Sequence, residues 1–225
     1  MKTTSKYEFL SQFPLFNVLS EEELSYLYNH TESKIYKKYD HIFLTGDASD
    51  TIFFLTKGVV KLGTHSSDGR EAIKEILHPH AMFGELGILG EEHRKGFAEI
   101  MKPAECLALK VKDFQTLMNQ NQQLCFNVIN MVGKKLRETE NKLESLIFKD
   151  ARARIIDFLK DSIQKRGRKV GFEMLLKHSL TQQDIANITG TSRQTVTSVL
   201  NDLRKSDMIY FNRRTILIRD IENLA

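Results

Sequence analysis

Residues 180–200, Leu-Thr-Gln-Gln-Asp-Ile-Ala-Asn-Ile-Thr-Gly-Thr-Ser-Arg-Gln-Thr-Val-Thr-Ser-Val-Leu, admit few folds. Thr181 is placed to cap a helix by accepting a hydrogen bond from a free backbone amide, and Asp184 holds the reciprocal capping-box position. Ile185, Ala186 and Ile188 supply an apolar stripe, with Ala186 small where a second helix crosses. Gly190 offers the positive φ that ends a helix without a Cβ clash. Ser192 caps the next helix, in which Val196, Val199, Leu200 and Leu203 follow the i, i+3, i+4, i+7 rule of a buried face. The spacing predicts two short helices about a glycine turn.

The outward row of the second helix is Arg193, Gln194, Thr197, Ser198 and Asn201. Arginine pairs with guanine O6 and N7, glutamine with adenine N6 and N7, and threonine or serine with several base edges. A merely solvated face carries Glu and Lys, and this row has neither. The layout is that of a helix-turn-helix, whose second helix enters a DNA major groove. Thr181, Gln182, Gln183 and Ser192 join Arg193, Gln194, Thr197 and Ser198 as candidate contacts. Two β-rich runs follow, Met208–Phe211 and Thr215–Ile218, about the polar turn Asn212-Arg213-Arg214. They read as a wing, with Arg213 and Arg214 gripping phosphates.

Charge agrees with that partner. Residues 151–225 hold 14 Lys and Arg against 8 Asp and Glu, a net of +6. The first 150 residues hold 19 against 21, a net of −2. A basic end on the helix-turn-helix suits a polyanion. No apolar run approaches the roughly 20 residues that span a bilayer, and the N-terminus lacks a signal-peptide core. Cys106 and Cys125 lie apart without CxxC spacing, which argues against a cysteine-ligated cluster and fits a reducing cytoplasm.

Residues 32–110 read as short strands broken by turns: Ile52–Leu55, then Lys57-Gly58, then Val59–Leu62, with a hairpin turn at Ser67–Arg70. Strands this frequent predict a jelly-roll barrel rather than a βαβ sheet. Ser20 and Glu23 predict a capped helical lead-in. Along 122–147 the period changes: Cys125, Ile129, Val132, Leu136, Thr139, Leu143 and Leu146 step by 4 and 3. That is a coiled-coil seam about 39 Å long. A strict two-position seam suits an identical helix; packing on the chain's own barrel is the alternative. Ile129, Val132, Leu136, Leu143 and Leu146 are therefore the expected dimer contacts.

A rival reading comes from His78-Pro79-His80 followed by Glu85, half of the metal motif of cupin-type barrels, with two imidazoles and a carboxylate for iron or manganese. The glycine and the later histidine of that motif are missing. His30, His41, His65, His93 and His178 read as isolated surface residues, and Lys165–Lys169 as a solvated basic loop within reach of DNA or RNA polymerase.

Barrel, long helix and winged helix-turn-helix, in that order, resemble the CRP/FNR family of transcriptional regulators over nearly the whole chain. Carrying the resemblance are Phe16–Leu24, Gly46-Asp47, Lys57–Leu62, Phe83–Gly87 and the helix-turn-helix with its wing. It implies an α+β chain: a sensor domain over 1–121, a dimerisation helix and hinge over 122–149, and a DNA-binding domain over 150–225. It also implies a phosphate-binding cassette at Gly84, Glu85 and Leu86, with Glu85 toward a ribose hydroxyl. The family's cAMP binders follow with Arg-Ser or Arg-Thr, where this chain has Arg94-Lys95. Their adenine-side Thr-Ser is here Thr139-Glu140. The oxygen-sensing branch carries an N-terminal cysteine cluster, and this chain has no cysteine before position 106. The haem branch places a histidine near Leu86. The resemblance thus implies a cytoplasmic homodimer, not an enzyme, on palindromic double-stranded DNA, meeting RNA polymerase. The departures at Lys95 and Glu140 argue against cAMP in the usual mode; the pocket is then either empty or holds an unidentified small-molecule effector, and no cofactor is certain.

Overall fold

The computed structural model describes residues 6–224. Contacts divide them into two compact units, which fall within Met1–His65 with Lys74–Arg137 and within Ser66–Ile73 with Glu138–Ala225. The division falls inside the long helix rather than at either end of it.

In the first unit, Lys6–Ser11 (α1) and Glu21–His30 (α2) flank a short 3-10 turn at Pro14–Phe16. The capping box forms at Ser20: its hydroxyl accepts from the Glu23 amide, and the Glu23 carboxylate accepts from the Ser20 amide at 2.7 Å. Six strands follow: Thr31–Tyr36 (β1), His41–Phe43 (β2), Thr51–His65 (β3), Glu71–Leu77 (β4), Met82–Phe83 (β5) and Phe97–Lys110 (β6). The sheet runs β1-β6-β3-β4, with β2 also on β6 and β5 also on β3. The long β3 and β6 pair antiparallel from Thr51 opposite Lys110 to Gly63 opposite Phe97.

One sequence expectation is corrected here. Lys57-Gly58 does not end a strand; β3 runs through it for 15 residues. Gly58 takes φ +94°, and the register with β6 shifts between Leu55 and Lys57, again before Val59 and once more before Val60. These are bulges, which bend a long strand instead of terminating it. Ahead of the bulges, alternation sends successive side chains to two cores. Ile52, Phe54, Leu107 and Leu109 meet Phe13, Phe16, Leu27 and Phe114 on the helical side. Phe53, Leu55, Phe83, Ala98, Ile100 and Cys106 close the other. Burial in that second core pushes the Cys106 thiol up to about 12, so it packs as a small apolar side chain.

Val111–Gln120 (α3) leads to the 27-residue Gln122–Phe148 (α4). Leu124 and Val128 are buried, and Met131 and Val132 pack beside them on the helical core. Val132 therefore packs in part against its own domain. Helical periodicity explains this: 124, 128, 131 and 132 form one stripe, and 129, 136 and 143 another. Ile129, Leu136, Leu143 and Leu146 remain exposed.

In the second unit, Asp150 caps Ala151–Arg166 (α5), accepting from the Ala153 amide at 2.8 Å. Next come Arg168–Val170 (β7), Glu173–Lys177 (β8), Gln182–Thr189 (α6), Arg193–Lys205 (α7), Ile209–Phe211 (β9) and Thr215–Ile218 (β10), the strands in the order β7-β8-β10-β9. Ile155, Leu159, Ile163, Ile185, Val196, Leu200, Leu203, Ile209 and Ile216 form the core. Lys165–Lys169 is not one loop: it ends α5, turns at Gly167 and starts β7. Burial pulls the half-buried Arg166 guanidinium below its usual pKa, against the nearby Asp161 carboxylate. His178, expected at the surface, is buried. Among the described residues no helix is long and apolar enough to cross a membrane.

Candidate nucleic-acid interface and barrel cassette

The helix-turn-helix forms as its caps dictate. Thr181 Oγ1 accepts from the Asp184 amide at 3.1 Å, and the Asp184 carboxylate accepts from the Thr181 amide at 2.7 Å. Gly190 takes φ +62° at the end of α6, and Ser192 Oγ accepts from the Thr195 amide at 3.0 Å to start α7. Val196, Val199, Leu200 and Leu203 are buried, which turns the opposite row outward. Arg193, Gln194, Thr197, Ser198 and Asn201 line one shallow depression there.

The predicted contact residues divide into two groups. Thr181 and Ser192 are engaged as caps, and Gln183 Nε2 donates to Asn187 Oδ1 at 2.8 Å. Thr197 Oγ1 lies 2.8 Å from Gln182 Oε1, which ties α6 to α7. Arg193, Gln194 and Ser198 are exposed and carry their donors and acceptors outward. The wing lies between β9 and β10, where Asn212 Oδ1 accepts from the Arg214 amide at 2.9 Å and the Thr215 amide at 3.0 Å. That Asx turn leaves Arg213 and Arg214 exposed at the tip.

In the barrel, Gly84, Glu85 and Arg94 come together. Glu85 opens a 3-10 turn over Glu85–Leu89 and is 8% exposed. Its Oε1 accepts from Lys135 Nζ of α4 at 2.7 Å. Arg94 is 4% exposed; Nη1 donates to the Gly84 carbonyl at 3.0 Å and Nη2 to the Thr51 carbonyl. Its guanidinium also lies 4.4 Å from the Phe43 ring centroid. The Arg94 Nε has no hydrogen-bond partner among the described residues. Burial pulls the Arg94 pKa below the usual guanidinium value, opposed by the carboxylates of Glu91, Asp50, Glu85 and Asp47. Lys95 and Leu86 are exposed, so Arg94 rather than Lys95 is the buried cation beside Gly84 and Glu85. Thr139 and Glu140 are exposed positions one turn beyond Lys135 on α4. Sequence reasoning missed Lys135, which looks like an ordinary charged flank of the seam.

The cupin reading is corrected by the same geometry. His80 sits in the turn after β4 with its ring stacked on Phe9 at 5.0 Å, and the Glu85 carboxylate is paired with Lys135. No group of three His, Cys, Asp or Glu side chains among the described residues is placed to hold a metal.

Comparisons with known proteins agree with this architecture. The profile of the cyclic nucleotide-binding domain matches residues 33–121, and that of the Crp-like helix-turn-helix domain matches 153–225. A CRP-like cAMP-activated global transcriptional regulator of Mycobacterium tuberculosis is 27% identical over 97% of both chains. A global nitrogen regulator of Nostoc is 28% identical over 79% of this chain and 80% of its own. The solved structure of a CooA variant from Carboxydothermus hydrogenoformans superimposes with a TM-score of 0.79 at 27% identity, covering 96% of this chain and 95% of that one. A β domain of the cyclic nucleotide-binding type, joined to a winged helix-turn-helix, defines a DNA-binding transcriptional regulator. The chain belongs to the CRP/FNR family.

Proposed function

We propose that the protein acts as a homodimer that reads a palindromic operator through two copies of α7, with RNA polymerase as its protein partner on the promoter. One observation carries this reading: Arg193, Gln194 and Ser198 stand exposed on one row of α7, in the C-terminal third of the chain, whose net charge is +6. Arg193 belongs to base reading and Arg214 to phosphate gripping. Arg193→Ala is expected to cost about 1–3 kcal/mol and to relax preference at one operator position. Arg214→Ala is expected to weaken all sequences about equally and flatten the salt dependence. Binding to a panel of single-base operator variants at several salt concentrations separates the two. Loss without changed preference in both variants would remove Arg193 from the base edge.

We also infer that the barrel does not take cAMP in the usual mode. What supports this is that Glu85 is already paired with Lys135 at 2.7 Å, that Arg94 is committed to two backbone carbonyls, and that Lys95 offers no hydroxyl. A missing charge-assisted hydrogen bond costs about 1.5–3 kcal/mol, a ten- to hundredfold weakening. Calorimetry is expected to find no micromolar cAMP or cGMP affinity, and gel shifts no change in operator binding with either nucleotide. Micromolar cAMP coupled to tighter DNA binding would overturn this reading.

A further inference from the structure

Arg154 lies in the first turn of α5, away from the α7 row, yet its guanidinium is directed wholly at backbone. Nη1 donates to the Lys149 carbonyl at 2.7 Å, Nε to the Thr189 carbonyl at 2.9 Å, and Nη2 to the Gly190 carbonyl at 3.2 Å. These acceptors belong to two helix ends. Lys149 closes α4, its own amide still donating to the Ser145 carbonyl at 3.1 Å. Thr189 and Gly190 close α6.

Each helix C-terminus leaves up to four carbonyls without an intrahelical partner and carries partial negative charge. One planar cation therefore caps α4 and α6 together. A second contact spans the same junction: a Cβ on Gly190 would lie 3.1 Å from Leu146 Cδ2, so the last turn of α4 abuts the turn before α7. The base of Arg154 is itself fixed, because Asp150 caps α5 one turn earlier. Ser192 begins α7 two residues after Gly190.

We propose that Arg154 is the positioning residue that sets the aim of the recognition helix, by locking the turn ahead of α7 to the end of the dimer helix. This rests on the reading of α7 as the base-reading helix of a two-fold dimer. Two such helices meet successive major grooves only if each is fixed relative to the α4 that joins it to its partner. A planar fork can hold three carbonyls on two elements at once, whereas the point charge of lysine cannot.

The test uses the full-length protein and a palindromic duplex selected by the wild-type protein from a random pool. Companion duplexes have one base pair added or removed between the half-sites, and one carries a single half-site. Wild type is expected to prefer the selected spacing by about tenfold or more, through the gain from binding both half-sites at once. In Arg154→Ala that preference is expected to fall below about threefold, with single half-site affinity within about twofold of wild type. Arg154→Lys keeps the charge and the stem, and with them the fold; it is expected to show the same relaxed spacing. Unchanged spacing preference in either variant overturns the proposal. So does a proportional loss on every duplex, single half-site included, which marks a purely structural role. If wild type itself bound the palindrome no better than a half-site, the dimeric reading would fail first and take this one with it.

Discussion

Leu136→Asp is expected to sediment as a monomer and to lose operator affinity by about 10²–10⁴-fold. Leu136 is 59% exposed, on the outward stripe of α4 with Ile129 and Leu143. An aspartate there meets water in a lone chain, so the fold is expected to survive. In a two-fold dimer through this stripe, however, the substitution places two unpaired carboxylates at one interface, at a cost of several kcal/mol. It also removes two leucine contacts worth about 1.5–3 kcal/mol each. The DNA effect follows because a monomer forfeits the second, effectively intramolecular half-site contact. Sedimentation velocity and circular dichroism together check it. A folded dimer of unchanged mass would show that the exposed stripe is not the interface.

Gly58→Ala is expected to be among the most destabilising single changes available in the barrel. At φ +94°, any L side chain is strained by about 1–2 kcal/mol. Here the new Cβ would also fall 2.5 Å from the Pro103 carbonyl oxygen and 2.6 Å from Ala104 Cα, both on the neighbouring strand. Backbone cannot swing away as a flexible side-chain tip would, and overpacking of this kind costs a further 1–3 kcal/mol or so. The sum, about 2–5 kcal/mol, is a large part of a typical domain stability of about 5–15 kcal/mol. Thermal melts are expected to move down by roughly 5–20 °C. Gly46→Ala is the control: its φ is similar at +93°, with nothing within 4 Å of the added carbon. Equal losses in the two variants would show that strain, and not the bulge contact, sets the effect.

Features encoded by neighbouring residues were legible without coordinates. Thr181 with Asp184, Gly190 and Ser192 specify both helices of the motif because a cap, a left-handed stop and a second cap are local devices. The wing was legible for the same reason, its polar turn being an Asx turn on Asn212. The bulged β3 was not. Gly58 signals a turn and a bulge alike, and only the register with Pro103 and Ala104, some 45 residues later, separates them. Helix α5 carries a readable stripe in Ile155, Ile156, Leu159 and Ile163, set among many charges. Lys135 and Arg154 represent a harder kind of omission. Each looks like a solvent-facing cation in its own helix, and each finds its partners 35–50 residues away: Lys135 at Glu85, Arg154 at Thr189 and Gly190. No periodicity announces a contact at that separation.

The long pairing of β3 with β6 also bears on how the chain is made. Gly63 meets Phe97 and Thr51 meets Lys110, so the partner of β3 trails it by 34 to 59 residues. At ribosomal speeds of about 5–20 residues per second, Ile52-Phe53-Phe54-Leu55 waits on the order of 2–12 s for its cover. In that interval the strand is an open apolar edge, the kind of segment that pairs with a neighbouring nascent chain. Lys57 and Lys61 sit just beyond the apolar run and interrupt it with charge. Their later roles, paired with Glu105 at 2.7 Å and Glu99 at 2.9 Å, begin only when β6 arrives. The same two lysines thus guard the strand before the sheet closes and are neutralised by its closing.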